Sequence, residues 1–149
     1  MQNFTRVATE LAAALDNRGY KTLTPVQEAV LTEEMIGRDA LVSAQTGSGK
    51  TLAFGLSISS DILHENKDTE SIKLPRVLII APTRELALQV KRELEWLYAK
   101  TSVSIASCVG GMDMRTERRS LDRGPDIVIG TPGRLKDHIE RRSLNLTGL

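Results

Sequence analysis

Four short apolar runs rich in β-branched residues recur along the chain. They read ALVSA, RVLIIAP, VSIASCVG and DIVIGTP. Continuous apolar runs of this length are typical of strands that are covered on both faces of a sheet. The pattern therefore predicts four buried strands.

Apolar residues at helical spacing predict helices before and between these runs. A first helix ends near Gly19, and a second begins at Thr24 and Pro25. The apolar positions of the helical patterns are Val7, Leu11, Ala14 and Leu15, then Leu86, Val90, Leu94 and Leu97, then Leu135 and Ile139. Strands that alternate with helices predict an α/β fold with a parallel sheet and right-handed crossovers.

The stretch SAQTGSGKT follows the first predicted strand and leads into a predicted helix. Its spacing matches the P-loop pattern, except that Ala44 stands where the first glycine usually lies. Gly47 and Gly49 allow the tight turn that aims backbone amides at phosphate groups. A nucleoside triphosphate also explains Lys50 and Thr51, as ligands of the β- and γ-phosphates and of Mg²⁺. The structural alternative is a glycine-rich turn before a helix.

Composition narrows the class of protein. The chain has 149 residues, of which 40% are hydrophobic, and this predicts one domain. Twenty basic and nineteen acidic residues leave it almost neutral, so bulk charge does not indicate a nucleic-acid partner. A single cysteine, no signal sequence and no run of about 20 apolar residues predict a soluble, cytoplasmic protein without a membrane partner.

Five motifs occur in the order and approximate spacing typical of one family. They are GYKTLTPVQ (19–27), AQTGSGKT (44–51), PTRELA (82–87), GG (110–111) and TPGR (131–134). In these motifs the chain resembles the DEAD-box RNA helicases, and residues 1–149 resemble part of the first RecA-like domain. The resemblance implies that the Asp-Glu-Ala-Asp and Ser-Ala-Thr strands and a second RecA-like domain are absent. The sheet is then expected to be incomplete, with ALVSA unable to pair with RVLIIAP and with exposed strand edges.

The resemblance implies a site for ATP and Mg²⁺, with Lys50 and Thr51 as the catalytic groups and Thr51 as the metal ligand. Gln27 would bond the adenine edge with its amide, and Tyr20 would pack near the base. Phe4 is the candidate for the upstream aromatic. Taken alone, Gln27 has a structural alternative, a capping box with Thr24. The full set of nucleotide-binding candidates is Tyr20, Gln27, Ala44, Gln45, Thr46, Gly47, Ser48, Gly49, Lys50 and Thr51.

The resemblance also implies that three segments bind the RNA sugar-phosphate backbone without base preference. Helix N-termini with hydroxyl and guanidinium groups are suited to phosphate, although Thr83 and Thr131 are explained equally well as N-caps. The RNA-binding candidates are Pro82, Thr83, Arg84, Gly110, Gly111, Thr131, Pro132, Gly133 and Arg134.

Other polar residues give weaker signals. The arginines of MRTERRSLDR are typical of a solvated helix face. His64 and His138 are isolated, which argues against a zinc site, and Cys108 is expected to pack in a core.

The favoured hypothesis is the ATP- and RNA-backbone-binding portion of an ATP-dependent RNA helicase that unwinds short duplexes, with this chain alone inactive or nearly so. The alternative is a binding module without turnover. A P-loop kinase or transporter ATPase is disfavoured, because the motifs PTRELA and TPGR would have no function in such a protein.

Overall fold

The computed structural model describes residues 4–63 and 73–149, so the prediction for His64 lies outside the described residues. The described chain packs as two compact units, residues 4–63 with 96–101 and residues 73–95 with 102–149. Its helices are α1 (Thr9–Asn17), α2 (Pro25–Ala29), a 3-10 turn (Glu33–Met35), α3 (Lys50–Ser57), α4 (Ser59–Leu63), α5 (Arg84–Leu97), α6 (Met114–Asp122) and α7 (Pro132–Glu140). Its strands are β1 (Val77–Ile80), β2 (Ile105–Cys108) and β3 (Ile127–Gly130).

The first unit is helical. Leu11 and Leu15 of α1 are fully buried, and Gly19 follows the helix with a φ of 81°. This is the left-handed conformation expected of a glycine that ends a helix. α2 has proline at its first position and packs against α3. The hydroxyl of the buried Tyr98 donates to the Gly55 carbonyl of α3 at 2.7 Å, which ties residues 96–101 to the same unit.

The second unit is built on a parallel sheet with the strand order β1-β3-β2. Val77 and Ile105 both align with Ile127 of the central strand, so the three strands end at one edge. β3 is buried along its whole length, as its continuous apolar run predicts. A hydrophobic core cluster of this unit contains Ala106, Cys108, Leu121, Val128, Leu135 and Leu144.

The α/β class and the parallel sheet are confirmed, but the prediction of four strands is wrong. Residues 40–45, which include ALVSA, form no strand, and Leu41 is 99% exposed. None of the three described strands pairs with this segment. An apolar run needs a neighbouring strand for its backbone hydrogen bonds, and without one its β-propensity does not produce a strand.

β1 is an edge strand of the described sheet, because it pairs with β3 alone. Its last residue, Ile80, is 60% exposed. Any open sheet has two edge strands, so the incompleteness of this sheet stays a prediction.

The helical stripes are mostly confirmed. Val90, Leu94, Leu97 and Leu135 are buried, whereas Leu86 and Ile139 are exposed. No helix in the described ranges is long and apolar enough to cross a membrane.

Candidate functional site

The glycine-rich loop leads directly into α3 of the first unit. Gly47 and Gly49 have φ angles of 80° and 85°, a region that side chains rarely allow. A Cβ atom on Gly49 would also collide with the Gln27 amide nitrogen. Gly49 is the N-cap of α3, so the loop ends at a helix N-terminus, as the P-loop pattern predicts.

The loop presents several hydrogen-bond donors. The amides of Gly47 and Gly49 have no acceptor among the described residues, and the buried Ser48 hydroxyl likewise has no partner there. Lys50 Nζ donates to the Ala44 carbonyl at 2.5 Å and to the Gln45 carbonyl at 2.9 Å. Unpaired donors and a lysine around one loop fit an anion such as a phosphate group.

The remaining loop residues surround these donors. Gln45 and Thr46 are exposed, and Ala44 is half-buried. Thr51 is the second residue of α3 and is also half-buried. It therefore lies next to Lys50, in the first turn of the helix.

Gln27 of α2 is 1% exposed and bonds to two backbone groups. Its Oε1 atom accepts from the Thr24 amide at 3.0 Å, which is the glutamine half of a capping box. Its Nε2 atom donates to the Gly49 carbonyl at 3.2 Å. Thr24 Oγ1 donates to the Ser48 carbonyl at 2.9 Å. The capping interaction is therefore present, and the same two side chains hold α2 against the glycine-rich loop.

The aromatic candidates of this unit make packing contacts. Tyr20 stacks on Trp96 with ring centroids 6.0 Å apart, and the Arg18 guanidinium carbon lies 4.8 Å from the Trp96 ring centroid. The role of Tyr20 near a base stays a prediction. Phe4 is buried and lines a cavity of about 260 Å³ together with Thr5, Arg6, Leu23, Glu28 and Leu31.

In the second unit, the three predicted RNA-binding segments follow the carboxyl ends of β1, β2 and β3. Because the strands are parallel, all three segments emerge at the same edge of the sheet. Thr83 Oγ1 accepts from the Leu86 amide at 3.2 Å. Thr83 therefore caps α5, as expected if this residue serves as an N-cap. Thr131 is the N-cap of α7 by position but makes no side-chain cap bond, and Pro132 is in the first turn. Gly133 is exposed there.

Arg84 is exposed at the start of α5 and lies against the loop that follows β2. Its Nη2 atom is 3.5 Å from Met112 Sδ. Gly111 has a φ of 80°, and a Cβ atom there would approach Arg84 Nη1 to 2.5 Å. Gly110 and Gly111 are both exposed. A guanidinium group and an open glycine backbone thus lie together at the sheet edge.

Arg134 is placed differently, because its side chain is only 14% exposed. Its Nε atom lies 3.4 Å from Glu117 Oε1, and its Nη2 atom donates to the Met112 carbonyl at 2.8 Å. The same carboxylate contacts His138 Nε2 at 2.9 Å through Oε1 and accepts from the Val109 amide at 2.7 Å through Oε2. We call Glu117, Arg134 and His138 the buried polar cluster.

This cluster was not predicted from the sequence, and the expectation that His138 is isolated is wrong. Signals were present at helical spacing, since Glu117 lies four residues before the buried Leu121 and His138 three residues after the buried Leu135. Both positions face inward on their helices. A buried polar or charged side chain requires a hydrogen-bond partner, and here Glu117 and His138 are partners of each other.

A metal ion is the other chemistry that this cluster suggests. Ligand atoms of Cys108, Glu117 and His138 all lie within 4.8 Å of one another, the one such group in the described ranges. Burial, and secondly the charge of Glu117, raise the pKa of the Cys108 thiol to about 12. A thiol must lose its proton to bind metal, and both Glu117 oxygens already have partners. Glu117 and His138 are joined by a hydrogen bond in this arrangement, and Cys108 packs in the core as expected.

Comparisons with known structures define the class of protein. The chain is similar to a hypothetical ATP-dependent RNA helicase from Sulfolobus tokodaii, with 28% identity, a TM-score of 0.80, and coverage of 94% of this chain and 38% of that one. It is also similar to a solved protein bound to single-stranded RNA and AMP-PNP, with 33% identity, a TM-score of 0.79, and coverage of 93% and 28%. The fold is that of a RecA-like helicase domain.

The sequence comparisons specify the family. The DEAD/DEAH box helicase model matches residues 24–149, and the chain belongs to this family. It is 42% identical over 140 residues to the ATP-dependent RNA helicase CshA of Limosilactobacillus reuteri, covering 94% of this chain and 27% of that protein. It is 42% identical over 137 residues to DeaD of Escherichia coli strain K12, covering 91% and 21%. The chain thus spans about a quarter of the length of these relatives.

Proposed function

We propose that this chain binds ATP with Mg²⁺ and the backbone of RNA, as part of an ATP-dependent RNA helicase that couples ATP hydrolysis to local duplex unwinding. The observation that carries the proposal is the glycine-rich loop, where positive φ angles and unpaired donors meet a helix N-terminus beside Lys50. Membership of the DEAD/DEAH box helicase family supports the same function.

In this proposal the loop amides and Lys50 bind the triphosphate. Lys50 exchanges its bonds to the Ala44 and Gln45 carbonyls for bonds to phosphate oxygens. The Thr51 hydroxyl holds Mg²⁺, which neutralises charge on the phosphates. Gln27 recognises the adenine edge from beside the loop, and Tyr20 and Phe4 pack near the base.

RNA lies along the edge where the three strands of the second unit end. Thr83, Arg84 and Thr131 offer hydroxyl and guanidinium groups, and Gly110 and Gly111 allow close approach of the sugar-phosphate backbone. Contacts of this kind carry no base information, so binding is sequence-blind. The partner for closure over RNA is a second RecA-like domain, and the cytoplasm is the proposed location.

Calorimetry tests nucleotide binding. We expect the wild-type chain to bind Mg-ATP and Lys50→Ala to bind at least about tenfold more weakly, because a charged contact to phosphate is lost. Lys136→Ala is the matched control, since that side chain is 74% exposed and pairs with Glu140. Equal affinities for wild type and Lys50→Ala would contradict the proposed site.

Filter binding to RNA homopolymers at rising salt tests the second activity. We expect similar affinities for the different bases and a steep loss with salt, since phosphate contacts release counterions. A strong preference for one base at constant salt would contradict backbone recognition.

Binding without turnover is the second candidate for this chain. Phosphoryl transfer needs groups that orient the attacking water and neutralise charge from a second side. In the described ranges, the hydrogen bonds of residues 44–51 that involve a side chain are with Thr24, Gln27 and the loop itself, and none is with a carboxylate. We expect phosphate release by the purified chain to be negligible, with or without RNA. RNA-stimulated release that Lys50→Ala abolishes would contradict this.

A further inference from the structure

The loop that follows β2 is held at two points by buried side chains. On one side of its glycine pair, the Val109 amide donates to Glu117 Oε2 at 2.7 Å. On the other side, the Met112 carbonyl accepts from Arg134 Nη2 at 2.8 Å. Gly110 and Gly111 lie between these two contacts and are exposed. The path of the glycine backbone is therefore set by Glu117 and Arg134.

The charge of Arg134 is already balanced inside the unit. Its Nε atom lies 3.4 Å from Glu117 Oε1, and the two side chains are 14% and 5% exposed. A phosphate group would have to compete with this carboxylate for a guanidinium that is mostly shielded from solvent. Arg84, by contrast, is exposed, and its described side-chain contacts are with uncharged groups. The two arginines of the predicted RNA site are thus suited to different tasks.

His138 fixes the orientation of the carboxylate. Its Nε2 atom lies 2.9 Å from Glu117 Oε1, and its Nδ1 atom lies 2.8 Å from Ser143 Oγ. Ser143 Oγ also donates to the His138 carbonyl at 3.1 Å. With both ring nitrogens engaged, the imidazole cannot rotate without breaking a buried hydrogen bond. The cluster therefore connects α6, α7 and the loop after β2 as one rigid element.

We propose that Glu117 and Arg134 are positioning residues, which hold the Gly110–Gly111 backbone in the conformation that accepts RNA, and that Arg134 does not contact phosphate. This inference rests on the proposed binding of RNA. It differs from the expectation that Arg134 grips the RNA backbone directly. Its role is to act through the Met112 carbonyl and the Glu117 carboxylate.

Glu117→Gln gives a test in which two explanations predict opposite signs. Removing a negative charge near a phosphate site strengthens binding if only Coulomb attraction matters. Under the proposal, binding becomes weaker by about fivefold or more, because the one amide oxygen of glutamine cannot accept from both Arg134 and the Val109 amide, and the loop loses part of its support. Asp122→Asn is the matched control, an exposed acid on the same helix with the same change of charge. It should leave RNA affinity unchanged or slightly higher.

The salt dependence of binding separates positioning from direct contact. A lost phosphate contact lowers the slope of log affinity against log salt by about 0.7 for a single strand. We expect Arg84→Gln to reduce the slope by this amount. Arg134→Gln should lower the affinity at every salt concentration and leave the slope unchanged. A slope reduced equally by both substitutions would overturn the proposal.

Amide hydrogen exchange adds a readout that needs no RNA. Under the proposal, Glu117→Ala, which removes the acceptor of the Val109 amide, accelerates exchange at Val109 while amides of β3 stay protected, so the unit is folded but the loop is released. Unchanged exchange at the loop, or RNA binding by Glu117→Gln as tight as by Asp122→Asn, would overturn the inference. If the wild-type chain binds no RNA, the proposed function fails, and the exchange result still decides whether Glu117 holds the loop.

Discussion

The Gln27 side chain donates to the backbone carbonyl of Gly49 at 3.2 Å, so the amide proposed to recognise adenine is also a brace for the glycine-rich loop. Its oxygen meanwhile accepts from Thr24. A planar amide has two acceptor sites and two donors, and one of each is used here. One donor and one acceptor site of the amide are left over, and loop support and the proposed base recognition have different consequences for nucleotide binding.

Gln27→Ala separates the two roles of this residue. If the amide reads the base, ATP binding weakens by about 1 to 3 kcal/mol more than binding of GTP or inorganic tripolyphosphate. If the amide only braces the loop, all three ligands weaken equally. We expect the larger loss for ATP, measured by calorimetry. If the wild type binds ATP and GTP equally and Gln27→Ala binds both as tightly as the wild type, the only remaining role of Gln27 is the capping interaction.

Tyr98→Phe should destabilise the first unit. The substitution removes the 2.7 Å hydrogen bond from the buried hydroxyl to the Gly55 carbonyl, at an expected cost of about 1 to 2 kcal/mol in the free energy of unfolding. Urea denaturation followed by fluorescence measures it. Tyr20→Phe is the control, because Tyr20 is partly exposed and its described contact is ring stacking. A loss as large in Tyr20→Phe would show that the hydrogen bond is not the cause.

Cys108 should resist alkylation in the native state. Burial and the charge of Glu117 raise its thiol pKa from 9.0 to about 12, which lowers the thiolate fraction about a thousandfold. Because the folded-state pKa is raised, this group's stabilisation is complete below pH 9.0 and is lost as the pH rises toward 12. Iodoacetamide at pH 8.5 should label the chain only in denaturant. The chain has one cysteine, so mass spectrometry reads the site directly, and rapid native labelling would contradict the prediction.

The open edge of β1 predicts concentration-dependent association of the chain. Unpaired amides and carbonyls of an apolar strand are a template for pairing with a second copy. We expect Ile80→Lys to shift sedimentation toward the monomer, because a charge on the edge disfavours pairing. Ile139→Lys is the control, an isoleucine of α7 that is 42% exposed, against 60% for Ile80. A wild-type chain that stays monomeric at high concentration would refute the prediction.

Features encoded locally were predictable from the sequence, and features that depend on distant partners were not. Gly47, Gly49 and the capping of α2 follow from spacing within a few residues, and the structure has them. Helical spacing indicates that Glu117 and His138 each face inward, but they lie 21 positions apart on different helices, so no local pattern shows that they are partners. The segment 40–45 has the composition of a strand, but a strand also needs a neighbour to pair with.

The uncovered position of Leu41 and Val42 has a consequence for the life of the chain in a cell. Chaperones and quality-control proteases recognise extended apolar segments that folding leaves accessible. Residues 40–45 present Leu41 and Val42 in this accessible way, directly before the loop that carries Lys50. Any strand that pairs with this segment would bury it. Chaperones and proteases would then no longer recognise it, and the lifetime of the protein would increase.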